Sequence, residues 1–208
     1  MIKLQVKRLT KNFGPKKVLA ELSFESEGTS LGIAGSNGTG KSTLLKCLAR
    51  LLSPSRGNIT WSSDGQELSA NLLQQKLGYA APYINLYEEL SCRENLAFLA
   101  KLRHADKEVN LDYWLEKTQI ASVANQAFGK LSSGQQQRLR LASALFHKPD
   151  ILLLDEPGSN LDEAGRRLVN DIAQSYQGAG KMLVIASNDD KELSLCHRVF
   201  SVEEQQFR

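Results

Sequence analysis

The sequence predicts an α/β fold, in which a mostly parallel β-sheet is flanked by helices and carries an antiparallel β edge and an inserted helical lobe. Short apolar runs at 30–34, 151–154 and 182–186 alternate with stretches of helical spacing, which is typical of a parallel sheet covered on both faces. From Ser91 to about His147, apolar residues recur every three or four positions and strand formers are few. This second pattern predicts the helical lobe.

The N-terminal elements follow from simple patterns. Ile2, Leu4 and Val6 alternate with polar residues, which indicates a half-exposed strand. A turn over 11–17 leads into a second strand over 18–26, and residues 57–63 resemble a short strand of an edge sheet. The helix expected after residue 41 is closed by a proline at 54 and carries four leucines on one face: Leu44, Leu45, Leu48 and Leu52.

The remaining elements complete the alternation. A strand begins at Leu77 and stops at Pro82, and helical stretches cover 92–102, 111–119 and 133–147. After Pro149 we expect a strand, a helix, a second strand, a short helix from Asp189 and a last strand near Val199. We therefore predict one unit over 1–208, with 1–82 and 148–208 as the α/β core and about 83–147 as the helical subdomain.

Composition describes an ordinary globular protein of 208 residues, 41% hydrophobic and 24% charged. The net charge of +3 and the scattered Lys and Arg give no basic patch, so we expect no nucleic-acid partner. The odd number and wide spacing of Cys47, Cys92 and Cys196 predict three reduced, semi-buried thiols in a reducing compartment. With no apolar run near the roughly 18 to 20 residues that span a membrane and no signal-peptide core, the chain is expected to be cytosolic.

The stretch GSNGTGKS, Gly35 to Ser42, fits G-x-x-x-x-G-K-[ST] and lies between a predicted strand and a predicted helix, which defines a P-loop. Its glycines allow the backbone N–H groups to turn inward around phosphate oxygens, and the helix adds its positive N-terminus. Lys41 can reach the outer phosphates, and the Ser42 hydroxyl can bind magnesium. A chance glycine-rich turn is a poor alternative in this context.

Two adjacent carboxylates end the apolar run ILLLDE, although acids repel each other and disfavour apolar surroundings. A positive group must therefore lie at the end of this strand. In an open parallel sheet, ligands lie beyond the carboxyl ends of the strands, where the P-loop also begins. We predict that Asp155 holds magnesium, directly or through water, and that Glu156 orients or deprotonates the attacking water.

The stretch LSSGQQQRLRLASAL, Leu131 to Leu145, is similar to the signature of ABC-type ATPases, and LLLDEP and SNLD follow at the family's spacing. With the P-loop, these motifs occur in the family's order, and the resemblance covers essentially the whole chain. From the residues alone, Ser132 is a good N-cap and Gly134 permits close backbone approach at a helix start, which is an anion site. A merely well-capped helix is the alternative if this motif stood alone.

The resemblance implies ATP and Mg²⁺ as cofactors and a set of site residues. The catalytic residues would be Glu156, Lys41 and Asn188, and the magnesium ligands Ser42 and Asp155. Phe13 would stack on adenine, although it could instead belong to the core. The implied nucleotide-binding residues are Phe13, Gly35, Ser36, Asn37, Gly38, Thr39, Gly40, Lys41, Ser42, Thr43, Ser132, Ser133, Gly134 and Gln135.

The resemblance also implies partners. A second cassette, identical or different, would bind head to tail with two ATP molecules sandwiched between, and residues Ser159 to Asp162 would lie at that interface. Separate transmembrane subunits would dock around Tyr83 to Arg93 and hold the chain at the cytoplasmic face of the membrane. ATP-driven closure of the dimer would then drive transport.

Two positions depart from the family's pattern. Pro82 stands where the family usually has a glutamine near the metal, and proline has neither a side-chain amide nor an N–H. Asn188 stands where the family has a histidine at the γ-phosphate, and asparagine cannot carry a positive charge. Both changes leave ATP binding intact and predict slow hydrolysis.

Two other functions compete with a transporter subunit. A soluble ABC-type ATPase of DNA repair, translation or cluster assembly usually carries coiled-coil insertions, zinc motifs or a second cassette, and this sequence shows none of them. An ATP-binding half-site without turnover is motivated by Pro82 and Asn188, but Lys41, Asp155 and Glu156 are intact. Two further arginines, Arg138 and Arg140, are expected on the solvated side of their helix.

Overall fold

The computed structural model describes residues 1–28, 30–103, 109–177 and 180–208. The strands among them are β1 (Ile2–Phe13), β2 (Lys16–Glu27), β3 (Ser30–Ala34), β4 (Arg56–Ser63), β5 (Gln66–Glu67), β6 (Leu77–Ala80), β7 (Ile151–Asp155), β8 (Met182–Ser187), β9 (Arg198–Ser201) and β10 (Gln206–Phe207). The helices are α1 (Lys41–Leu48), α2 (Ala70–Lys76), α3 (Cys92–Leu102), α4 (Leu111–Lys117), α5 (Ser133–Leu145), α6 (Glu163–Tyr176) and α7 (Asp190–Leu193), and two short 3₁₀ turns lie at Ala121–Val123 and Phe128–Lys130.

The strands form two sheets. The larger has the order β10-β9-β3-β8-β7-β6, in which β6, β7, β8, β3 and β9 are parallel and β10 pairs antiparallel with β9. Its central strands β3, β7 and β8 are buried at every residue, as continuous apolar runs require. The smaller sheet, of order β2-β1-β4-β5, is antiparallel throughout. The predicted fold class is confirmed.

Two apolar cores cover the larger sheet on opposite faces. Strand β7 shows the division, because Leu152 and Leu154 face the core shared with α3 to α6, whereas Ile151 and Leu153 face the core shared with α1 and the smaller sheet. Trp61 of β4 is fully buried in the second core, and its indole N–H donates to the Leu48 carbonyl at the end of α1, 2.9 Å away. The smaller sheet therefore packs against α1 and holds the end of this helix in place.

Helix α5 lies directly against β6. A Cβ atom added to Gly78 would lie 2.1 Å from the backbone carbonyl oxygen of Ala144, so only glycine permits this approach. The predicted division at about 82 and 147 remains a prediction, but this contact joins the two parts of the chain tightly.

Several expectations were wrong in detail. Helix α1 ends at Leu48 rather than near Pro54, so Leu52 lies outside it. Helix α2 and strand β10 were not expected; Ser69, the N-cap of α2, is the signal that could have identified the helix.

The thiols are free, as predicted, although Cys47 and Cys92 are fully buried rather than semi-buried. No helix among the described residues is long and apolar enough to cross a membrane.

Candidate active site

The P-loop leaves the end of β3 and curls into the start of α1. Gly38 and Gly40 have φ of 86° and 103°, a backbone region that side chains disfavour. A Cβ atom on Gly35 would lie 2.5 Å from the Thr39 hydroxyl oxygen, which donates to the Ser36 carbonyl. The curled loop predicted from the motif is therefore present, and its glycines permit this backbone path.

Lys41 supplies the positive group expected beside the acid pair. Its side chain is only 6% exposed, and its ammonium group donates to the carbonyls of Gly35 (2.9 Å) and Ser36 (3.2 Å). The same nitrogen lies 3.4 Å from Glu156 Oε1. A half-buried ion pair thus joins the loop to the end of β7.

The neighbouring strands β3, β8 and β7 bring three sequence-distant segments to one edge of the sheet. The Ser187 hydroxyl, at the end of β8, donates to Glu156 Oε2 at 3.3 Å. The Asn188 amide donates to the side-chain oxygen of Asn37 in the P-loop at 3.1 Å. Glu156 itself has a φ of 45°, an uncommon conformation for a residue other than glycine, which is a feature of functional sites.

Asp155 is 1% exposed, and its two carboxylate oxygens differ. Oδ2 accepts a hydrogen bond from the Tyr83 hydroxyl at 2.9 Å. Oδ1 is buried and has no hydrogen-bond partner among the described residues. An unpaired buried carboxylate oxygen is costly, and carboxylate and hydroxyl oxygens are the ligands that Mg²⁺ prefers. Asp155, with the half-buried Ser42 at the start of α1, therefore fits a magnesium ion.

Two tyrosines next to Asp155 were missed as site residues. The Tyr79 and Tyr83 hydroxyls are hydrogen-bonded to each other. Burial raises the pKa of both phenols, and for Tyr83 the neighbouring Tyr79 and Asp155 raise the pKa further. Tyr83 is therefore a neutral donor to Asp155, and Tyr79 donates to Tyr83. No motif marks these positions, although Tyr83 directly follows the unusual Pro82.

The signature segment begins α5 as predicted. The Ser132 side chain accepts from the Gln135 N–H at 3.3 Å, and the Gln135 side chain accepts from the Ser132 N–H at 3.0 Å, forming a capping box. Ser133 is exposed in the first turn. A Cβ atom on Gly134 would lie 3.0 Å from the Asn160 carbonyl oxygen, so the helix start lies against the 159–162 segment of the same chain.

The prediction that Arg138 and Arg140 lie on the solvated side of α5 is wrong, because each residue is only 8% exposed. Arg138 bonds Asp162 (2.6 Å), and the Arg140 Nε donates to the Ile84 carbonyl (2.7 Å). Burial lowers the pKa of Arg140 from its usual value. The expectation failed because both guanidinium groups reach backbone or side-chain oxygens of other segments, which spacing along one helix cannot reveal.

The other predicted residues lie in β1, the P-loop and the first turn of α1. Phe13, at the end of β1, is 49% exposed and so is not part of a core. Thr43 is half-buried in the first turn of α1. The Ser36 N–H and hydroxyl both donate to Glu203, the backbone N–H at 3.2 Å. Glu203 carries no sequence signal and was missed.

Known proteins resemble this chain over most of its length. The model of the family described as ABC transporter matches residues 19–159, more than half of the chain. The chain belongs to this family. An uncharacterised ABC transporter ATP-binding protein of Methanocaldococcus jannaschii is 35% identical over 202 residues, which is 95% of the cassette and 72% of that relative. A Nod factor export ATP-binding protein I of Burkholderia pseudomallei is 32% identical over 207 residues, 97% of the cassette and 68% of the relative.

Solved structures show the same fold. The dimeric structure of a bacterial ABC transporter cassette aligns with a TM-score of 0.83 at 24% identity, covering 95% of the cassette described here and 93% of the other. A dimeric cassette in a post-hydrolysis state, bound to ADP and phosphate, aligns with a TM-score of 0.79 at 26% identity, again covering 95% and 93%. The predicted family, and ATP binding within an ABC transporter as its function class, are confirmed. The roles of single residues remain predictions.

Proposed function

We propose that this cassette hydrolyses ATP to ADP and phosphate and couples that reaction to transport by separate membrane subunits. Membership of the family and its post-hydrolysis structural relative support hydrolysis. The observation that carries the proposal is the meeting of Lys41, Asp155 and Glu156 at the carboxyl edge of the sheet, beside the curled P-loop.

The residues divide the chemistry between them. The P-loop N–H groups and Lys41 hold and neutralise the phosphates, and Phe13 offers an exposed ring to the adenine. Glu156 orients the attacking water and accepts its proton, and Asn188 donates a hydrogen bond near the γ-phosphate. Ser42 and Asp155 would hold Mg²⁺, which neutralises charge on the β- and γ-phosphate oxygens when bound.

The same proposal includes the partners. A second cassette would bind head to tail, so that Ser132, Ser133, Gly134 and Gln135 of one copy close on the ATP of the other. Known cassettes that resemble this one are dimeric, and a cassette of a CbiONQ transporter complex also shares the fold. Transmembrane subunits would dock near Tyr83 to Arg93 and hold the cassette at the cytoplasmic face of the membrane.

The decisive experiment is Glu156→Gln. Glutamine keeps the size of the side chain but cannot accept the proton, so we expect turnover to fall by at least about 100-fold, the usual contribution of a general base. ATP affinity, measured by calorimetry, should be retained. Slow but measurable turnover by the parent protein is expected, because Pro82 and Asn188 replace groups that the family uses.

Two results would contradict the proposal. If the parent protein does not bind ATP, the proposed nucleotide site is wrong. ATP binding without any turnover, even with the membrane partner present, would instead favour an ATP-binding half-site.

A further inference from the structure

Pro82 cannot offer a side-chain hydrogen bond at the predicted metal site, but the residue that follows it can. Pro82 follows β6 by two residues and offers neither a side-chain amide nor an N–H. The next side chain, Tyr83, donates its hydroxyl to Asp155 Oδ2 at 2.9 Å. A polar group from this loop therefore does reach the predicted metal site, although from one position further along the chain.

Tyr83 is held on three sides. The Lys46 ammonium of α1 lies 3.9 Å from the centre of its ring, within the range of a cation–π interaction. The Tyr79 hydroxyl bonds the Tyr83 hydroxyl, and Asp155 accepts from it. Although its side chain is 42% exposed, the phenol is therefore oriented by the helix of the P-loop and by two strands of the sheet.

The contact has a consequence for the Asp155 carboxylate. Because Tyr83 occupies Oδ2, the unpaired oxygen Oδ1 is left for a cation, and rotation of the carboxylate is restrained. Hydrogen bonds to a metal-binding carboxylate commonly fix its orientation, and loss of such a partner typically weakens metal binding about 10- to 100-fold.

We propose that Tyr83 is the positioning residue of this metal site: its hydroxyl orients Asp155 for Mg²⁺ in place of the glutamine amide that the chain lacks. The neighbouring Ile84 carbonyl accepts from Arg140 of α5 at 2.7 Å, so the same loop joins the metal site to the helical lobe.

The proposal rests on the proposed function, because it requires ATP and a divalent cation at this site. The test uses Tyr83→Phe in a Glu156→Gln background, in which ATP persists, and measures ATP affinity by calorimetry with Mg²⁺ and with EDTA. Phenylalanine keeps the ring against Lys46 and removes only the hydroxyl. We expect the affinity in EDTA to be unchanged and the gain in affinity from Mg²⁺ to fall by about tenfold.

Two further tyrosine variants serve as comparisons. Tyr113→Phe removes an exposed hydroxyl from α4 and should leave both affinities unchanged. Tyr79→Phe removes the donor to Tyr83 but leaves the donor to Asp155, so it should have a smaller effect than Tyr83→Phe. Unchanged melting temperatures establish that each variant is folded.

The outcomes separate the two proposals. If Mg²⁺ raises the ATP affinity equally in Tyr83→Phe and in its background, the proposed role of Tyr83 is wrong and the ATPase proposal stays intact. If Tyr83→Phe also loses ATP affinity in EDTA, Tyr83 supports the loop in general, and its proposed role at the metal site is again wrong. Failure of the background protein to bind ATP in either condition rejects the proposed function itself.

Discussion

The acid pair that ends β7 is tolerated because its two side chains have different partners. Glu156 lies near the Lys41 ammonium and accepts from Ser187, whereas Asp155 accepts from Tyr83 through Oδ2 and has no hydrogen-bond partner for Oδ1 among the described residues. The same edge of the sheet carries Asn188, which contacts the P-loop through Asn37. Single residues at this edge should therefore set the rate of hydrolysis.

Replacing Asn188 by histidine tests whether a single residue at this edge sets the rate of hydrolysis. An imidazolium at the γ-phosphate makes a charged hydrogen bond, which is stronger than the neutral bond of an amide. We expect kcat of Asn188→His to rise about three- to tenfold, or about 1 kcal/mol in activation free energy. The kcat values are measured from steady-state phosphate release.

Asp190→His is the matched control, since it places a histidine on the exposed first turn of α7, two residues away. Its kcat should match that of the parent. An unchanged kcat in Asn188→His would remove Asn188 from the γ-phosphate.

Among the elements, α5 is the one whose packing sets the position of the signature within the cassette. The start of α5 lies against Asn160, Gln137 donates to the Pro157 carbonyl at 3.1 Å, and the end of the helix lies against Gly78. A shift at either end would move the signature relative to the segment that follows Asp155 and Glu156.

Gly78→Ala should therefore be destabilising. The new methyl group would lie 2.1 Å from the Ala144 carbonyl oxygen, which is backbone and cannot rotate away. We expect the free energy of unfolding to fall by about 1–3 kcal/mol, as is usual for overpacking. Urea denaturation followed by circular dichroism measures the change.

Gly129→Ala provides the comparison, because its methyl group would lie 3.4 Å from Glu88, an ordinary van der Waals distance. Its stability should stay within about 0.5 kcal/mol of the parent. If both variants were equally stable, α5 would not be held against β6 as tightly as the structure shows.

For the whole molecule, we propose that a second copy completes the nucleotide site of each cassette. Ser132 and Ser133 are exposed at the start of α5, where N–H groups of a helix end can receive an anion. A second copy would bring these groups to the γ-phosphate, so dimerisation should depend on ATP.

Sedimentation of Glu156→Gln with ATP and Mg²⁺ should show a dimer, and without nucleotide a monomer. Adding Ser133→Asp should keep the protein monomeric with ATP, because the new carboxylate repels the γ-phosphate. A carboxylate in the first turn favours the helix itself, so the fold should be retained.

Ser53→Asp adds the same charge at an exposed position outside the predicted interface and should leave the dimer intact. A dimer that forms without ATP, or that persists in Ser133→Asp, would contradict the sandwich arrangement.

The α/β class, the P-loop, the acid pair and the signature helix could all be predicted from the amino-acid sequence. These features are local: apolar runs, glycines at fixed spacing and a capping serine define them without knowledge of distant residues. The residues Lys41, Asp155 and Glu156 could be expected to meet because the carboxyl ends of parallel strands share one edge.

The hydrogen-bond partners around this edge and along α5 depend on how distant segments pack against each other. Tyr83, Glu203, Arg138 and Arg140 obtain their partners from segments distant in the chain, and their side chains cross from loop to strand or helix to loop. A hydrogen bond between distant residues leaves no periodic signal in a single sequence. For the same reason the 2.9 Å contact between Tyr83 and Asp155 is visible only in the structure, whereas the missing glutamine is visible in the sequence as Pro82.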